Sequence, residues 1–95
     1  MPITINTQYD DYGKVWEAWA EGFHESLMVL GQDESTARAR MQRLAERIIM
    51  GGHNPGLAIE PRELVRLARE AGLPVQALRD FHTWPKSDRG WVTDR

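Results

Sequence analysis

A run of apolar residues at steps of three and four constrains this chain more than any other feature. Tyr12, Trp16, Trp19, Phe23, Leu27 and Leu30 recur at the spacing that lines one face of an α-helix. Thr7, followed three residues later by Asp10, resembles a capping box with Asp in place of Glu, and Gly31 stands where a helix end is commonly capped. The pattern predicts a first long helix between Thr7 and Gly31. Gly13 and Gly22 fall inside it, and each weakens a helix by about 1 kcal/mol relative to Ala. Ahead of it, Ile3 and Ile5 alternate with polar neighbours, which gives an extended N-terminus over residues 1–7 that is too brief to build a sheet alone.

The same periodicity predicts three further helices. The second starts after the cap candidates Asp33 and Ser35 and runs to Met50, with Ala37, Met41, Leu44, Ala45, Ile48 and Ile49 inward and Arg38, Arg40, Arg43 and Arg47 around the rest. Gly51 and Gly52 end it, and the turn-rich GGHNPGLAIE is the only long loop. Pro61 suits a first helical position, and Leu64, Val65, Leu67 and Ala68 supply the apolar face of helix three. Gly72 stops that helix, and Pro74 opens a fourth with Leu78 and Phe81 inward. Pro85 ends it by disfavouring helical geometry at Trp84. The tail over residues 85–95 shows no periodicity. The expected fold is all-α: one compact four-helix domain over residues 1–95, a long αα-hairpin packed on a short helical corner.

That corner carries a resemblance. Ala68 is the small residue at a helix crossing, Gly72 follows four residues later where a turn needs a positive φ, and Leu73, Leu78 and Phe81 fall at inward positions. Residues 63–83 therefore resemble the helix-turn-helix of bacterial and phage regulators. The resemblance implies that Gln76 and Arg79 contact base edges while Arg62, Arg66, Arg69 and Lys86 contact phosphates. The departures are Pro74, which has no N–H to offer a phosphate, and the acids Glu63, Glu70 and Asp80 on the same surface. If the stretch is only a corner, Arg79 should pair within the protein, with Asp80 or Glu63, or face a protein partner.

Charge weighs against nucleic acid. The net charge is -2, but residues 1–60 hold five Lys/Arg against nine Asp/Glu, whereas residues 61–95 hold seven against five. Such a first half repels a polyanion. Zero cysteines exclude disulfides and thiolate metal sites and fit a reducing cytoplasm. No apolar run reaches the roughly 20 residues of a membrane span, and the start MPITINTQYDD lacks the basic flank and apolar stretch of a secretory signal. His24, His53 and His82 lie on separate segments without metal-ligand spacing, GGHNPG lacks the lysine and hydroxyl of a phosphate loop, and no Ser/His/Asp arrangement stands out. No catalytic residue, metal or cofactor is expected.

A small protein-binding regulator, adaptor or inhibitor is the function these residues favour, of the kind phages and mobile elements encode, including anti-defence inhibitors. A helix-turn-helix DNA-binding regulator is the alternative. Aromatic residues with flanking acids make the candidate interface: Tyr9, Trp16, Trp19, Glu21, Glu25 and Met28, with Trp84 and Trp91 in the tail. Tyr9, Val15, Met28 and Val29 lie off the main stripe, so the first helix would show apolar surface on more than one side and recruit a partner or a second copy of itself.

Overall fold

The computed structural model describes residues 2–79. Its first third is a sheet, not a helix. Strands β1 (Ile5–Asp10), β2 (Val15–Ala20) and β3 (Met28–Gly31) form an antiparallel meander in the order β1-β2-β3. Helix α1 (Glu34–Met50), helix α2 (Pro61–Glu70) and a 3-10 turn (Val75–Ala77) follow. The expected all-α four-helix domain is therefore replaced by a mixed α/β fold, and the long αα-hairpin by a sheet with α1 laid on it.

The physical reason lies in β2, VWEAWA. Ala18 and Ala20 are buried and alternate with the partly buried Glu17 and Trp19, a period of two. The register pairs Ile5 with Ala20, Thr7 with Ala18 and Tyr9 with Trp16; across the other seam it pairs Ala18 with Val29 and Trp16 with Gly31. Trp16 and Trp19, three residues apart, therefore point to opposite faces, although a helix would put them on one. The glycines that weakened the helical reading lie in the connections. Gly13 sits in the β1–β2 turn, and Gly22 takes φ +85 just past β2, a conformation side chains resist. Thr7 does not cap a helix; its hydroxyl donates to the Glu34 carboxylate of α1 at 2.7 Å. Gly31 caps none either. It ends β3.

Between residues 33 and 71 the helical periodicity is realised. Asp33 is the N-cap of α1, its carboxylate accepting the Thr36 N–H at 2.7 Å. Ala37, Met41, Leu44, Ala45 and Ile48 are buried, while Ile49 stays 38% exposed. At its far end His53 N–H donates to the Ile48 carbonyl and Gly52 N–H to Ile49, with Gly52 at φ +79. Helix α2 closes the same way: Leu73 N–H donates to Ala68, Gly72 N–H to Arg69, and Gly72 takes φ +83. In place of a fourth helix opening at Pro74, Val75–Ala77 make one 3-10 turn, and Leu78 then forms an antiparallel bridge to Val29. Phe81 and the expected tail lie outside the described residues.

The core forms between the inner face of the sheet and the helices. Ile5, Ala18, Ala20 and Val29 meet Met41, Leu44 and Ile48 of α1, with Leu64, Val65 and Leu67 of α2 in the same cluster. Each of the Ile, Leu, Val and Met side chains contributes about 1.5–3 kcal/mol on burial, and the alanines less. Among the described residues, α2 packs on α1 and the 3-10 turn, and neither helix lies over the outer face of the sheet.

Candidate protein-binding face

The outer face is set by the alternation of β2. Val15, Glu17 and Trp19 point away from α1; the register places Gln8 and Leu30 beside Glu17, and Asn6 and Met28 beside Trp19. Val15, Trp19, Met28 and Leu30 are all partly buried. Among them stands one carboxylate. Glu17 keeps only 13% of its side chain exposed, and its Oε2 lies 3.4 Å from Nε of Arg79.

The β1–β2 turn brings more acid to one end of this face. Lys14 N–H donates to the Asp10 carbonyl at 2.7 Å, and the Asp10 carboxylate accepts the Tyr12 N–H at 3.0 Å, which holds the chain in a tight reversal. Tyr12 is left 99% exposed at the tip. Tyr9, 43% exposed, sits with its ring centroid 5.5 Å from that of Trp16 at a 59° tilt. Asp10, Asp11, Tyr9, Tyr12 and Gln8 line a groove of about 460 Å³ that continues to Glu17 and Arg79. Three carboxylates face one guanidinium there, so the groove is net acidic.

The structure disperses the interface residues read from sequence. Trp19 and Met28 share the outer face, while Tyr9 and Trp16 lie on the inner face, on neighbouring strands. Glu21 follows β2 and accepts from the Asn6 amide at 3.1 Å; Glu25 is exposed in the β2–β3 loop. Trp84 and Trp91 lie outside the described residues. Sequence reasoning overlooked Glu17, Asp11 and Tyr12 as parts of a site. The signal available was the Asp-Tyr-Gly turn between two segments rich in β-branched and aromatic residues, Ile5, Thr7 and Tyr9 before it and Val15, Trp16 and Trp19 after it.

The cationic residues are largely bound into the protein. Arg66 pairs with both Glu63 and Glu70 on its own helix, and these partners hold its pKa above the usual arginine value. Arg62 and Arg69 are exposed on α2 and also interact within the protein. Gln76 is exposed on the 3-10 turn. Arg79 meets Glu17, where sequence reasoning expected Asp80 or Glu63. Lys86 lies outside the described residues. On α1, Arg38 donates to the Ile5 carbonyl, Arg40 to Leu30 and Arg43 to Ala71. Arg47 Nε lies 3.0 Å from a Glu70 oxygen, near enough for an ion pair but out of line for a hydrogen bond.

His24 Nδ1 accepts the Ser26 N–H at 3.1 Å and lies 2.8 Å from its hydroxyl, while His53 Nε2 lies 3.1 Å from Glu63. Among the described residues no group of three His, Asp or Glu side chains could hold a metal ion, and no helix is long and apolar enough to cross a membrane. His82 lies beyond them. Comparison with known proteins finds no matching family model, no matching curated protein and no matching solved structure.

Proposed function

We propose that this chain is a non-catalytic binding module, a regulator, adaptor or inhibitor, that takes a protein partner on the outer face of its sheet. One observation carries the reading: Val15, Trp19, Met28 and Leu30 form an apolar face with no helix of the described residues over it. A sheet this small gains by covering such a face, and a partner's side chains can do so. Tryptophan and tyrosine beside it are the side chains that most often anchor interfaces. The engagement of arginines by carboxylates and carbonyls of the same chain leaves less positive surface for a polyanion, which favours protein over nucleic acid. A cytoplasmic setting fits the absence of cysteine.

Affinity capture from the native host, with and without nuclease, tests the reading. Wild-type protein should retain a partner through nuclease treatment, and Leu30→Glu should release it while the circular dichroism spectrum stays that of the wild type. Recovery that vanishes on nuclease treatment would replace this reading with nucleic-acid binding. Light scattering on the same samples identifies the partner as a second copy if the mass doubles.

A further inference from the structure

We infer that the partner presents an arginine to Glu17, taking the place that Arg79 holds in the free protein. The inference rests on the binding function proposed above and names the chemistry of what binds. Glu17 stands at the centre of the middle strand, flanked along the strand by Val15 and Trp19 and across it by Leu30 on one side and Gln8 on the other. A carboxylate 13% exposed among largely apolar neighbours is expensive to desolvate, and a closely fitted cation is what offsets that cost. Arg79 fits poorly. Its Nε stands 3.4 Å from Oε2 and its side chain is 50% exposed, whereas a matched guanidinium forks onto both carboxylate oxygens at about 2.7–2.9 Å. A single contact of this length, with its guanidinium half exposed, offsets little of that cost, so a better-placed arginine can displace it.

The groove beside the pair argues for the same ligand. About 460 Å³ of space is lined by Gln8, Tyr9, Asp10, Asp11, Tyr12 and Glu17 beside Arg79. Carboxylates attract any cation, but the low exposure of Glu17 beside Leu30 favours the guanidinium, which pairs through two parallel N–H groups and is less strongly hydrated than an ammonium. Trp19 lies two residues beyond Glu17 on the same face, about 7 Å along the strand. An extended partner segment lying over the outer face of β2 would therefore set an arginine at Glu17 and an apolar side chain, two residues on, against Trp19, Met28 and Leu30.

The test is isothermal titration of the full chain with an amidated ten-residue peptide, SRTLTRTLTS, and with its lysine and glutamate counterparts. The arginine peptide should bind, the lysine peptide at least threefold more weakly, and the glutamate peptide not at all. Glu17→Gln, which keeps the shape of the side chain, should weaken the arginine peptide at least tenfold. Arg79→Ala should strengthen it several-fold, because the internal competitor is gone. That gain cannot come from a misfolded protein. Equal binding by Glu17→Gln, unchanged or weaker binding by Arg79→Ala, or no binding of the arginine peptide to either wild type or Arg79→Ala would each overturn the inference. If Glu17→Gln captures the host partner as well as wild type while Leu30→Glu does not, the binding face stands and only the arginine is wrong. If the host partner is nucleic acid, the face itself fails.

Discussion

A Cβ atom placed on Gly31 would stand 2.6 Å from the backbone nitrogen of Ala37 and 2.9 Å from its Cα. The end of β3 and the first turn of α1 touch backbone to backbone, so the helix lies close on a sheet face lined by Ala18 and Ala20. Gly31→Ala should force these elements apart and destabilise by about 1–3 kcal/mol, as overpacking does. Gly56→Ala, whose added carbon would meet only the Asn54 side chain at 3.4 Å, should change little. Urea unfolding of the two variants makes the comparison; equal midpoints would mean that the contact at Gly31 relaxes freely.

Arg38 and Arg40 divide the two edges of the sheet between them. Two residues apart on a helix, they point to nearly opposite sides, and Arg38 reaches the Ile5 carbonyl of β1 at 2.9 Å while Arg40 reaches Leu30 of β3 at 2.8 Å. Each satisfies a strand carbonyl with a charged donor, which ties both edges to α1. Arg40→Met keeps the aliphatic stem and removes the donor, and it should cost about 1–2 kcal/mol. Thermal unfolding would show it; an unchanged transition would place the Leu30 carbonyl in water instead.

The stretch from Asp33 to Gly72 was legible; the first third, and the helix expected to open at Pro74, were not. Asp33, Gly52, Pro61 and Gly72 occupy cap positions that only a helix uses, and the apolar faces between them hold. In the first third, Trp16 and Trp19 are both apolar although they face opposite ways, so the sheet lacks the apolar–polar contrast that announces a strand. Their spacing of three imitates a helical stripe. The two glycines that bound β2, and the acidic turn before it, were the better evidence. The groove escaped notice because Asp10, Asp11, Glu17 and Arg79 meet only through the hairpin and the return of the chain at Leu78.

Acid should loosen the start of α1. The Asp33 carboxylate accepts the Thr36 N–H and the Ser35 hydroxyl, and these bonds, that of Thr36 foremost, hold its pKa below the ordinary aspartate value. Glu34 is lowered by the Thr7 hydroxyl and then by Arg38. A carboxylate with a depressed folded pKa binds its proton more weakly in the native state. The stability it adds is complete above its unfolded pKa and is lost as pH falls below about 4 toward the folded value. Stability should therefore decline between about pH 4.5 and pH 3, and Asp33→Asn, which still caps but does not titrate, should flatten part of that slope. Denaturant midpoints across this range give the measurement; parallel slopes for the two proteins would exclude Asp33 as a source.

Lys14 is the described non-glycine residue with positive φ, at 57°, as the β1–β2 turn closes. A side chain in that conformation costs roughly 1 kcal/mol or more, which glycine avoids, against a smaller loss from the freer unfolded chain. Lys14→Gly should raise stability by up to about 1 kcal/mol. It also removes a cation from the turn that carries Asp10 and Asp11, so the groove becomes more acidic and should hold a cationic peptide more tightly at low salt. The two effects separate with added salt: the gain in binding should fade by about 0.5 M sodium chloride, because exposed charges are screened, while the gain in melting temperature persists. A variant that melts below wild type would show that Lys14 makes contacts worth more than the strain it bears.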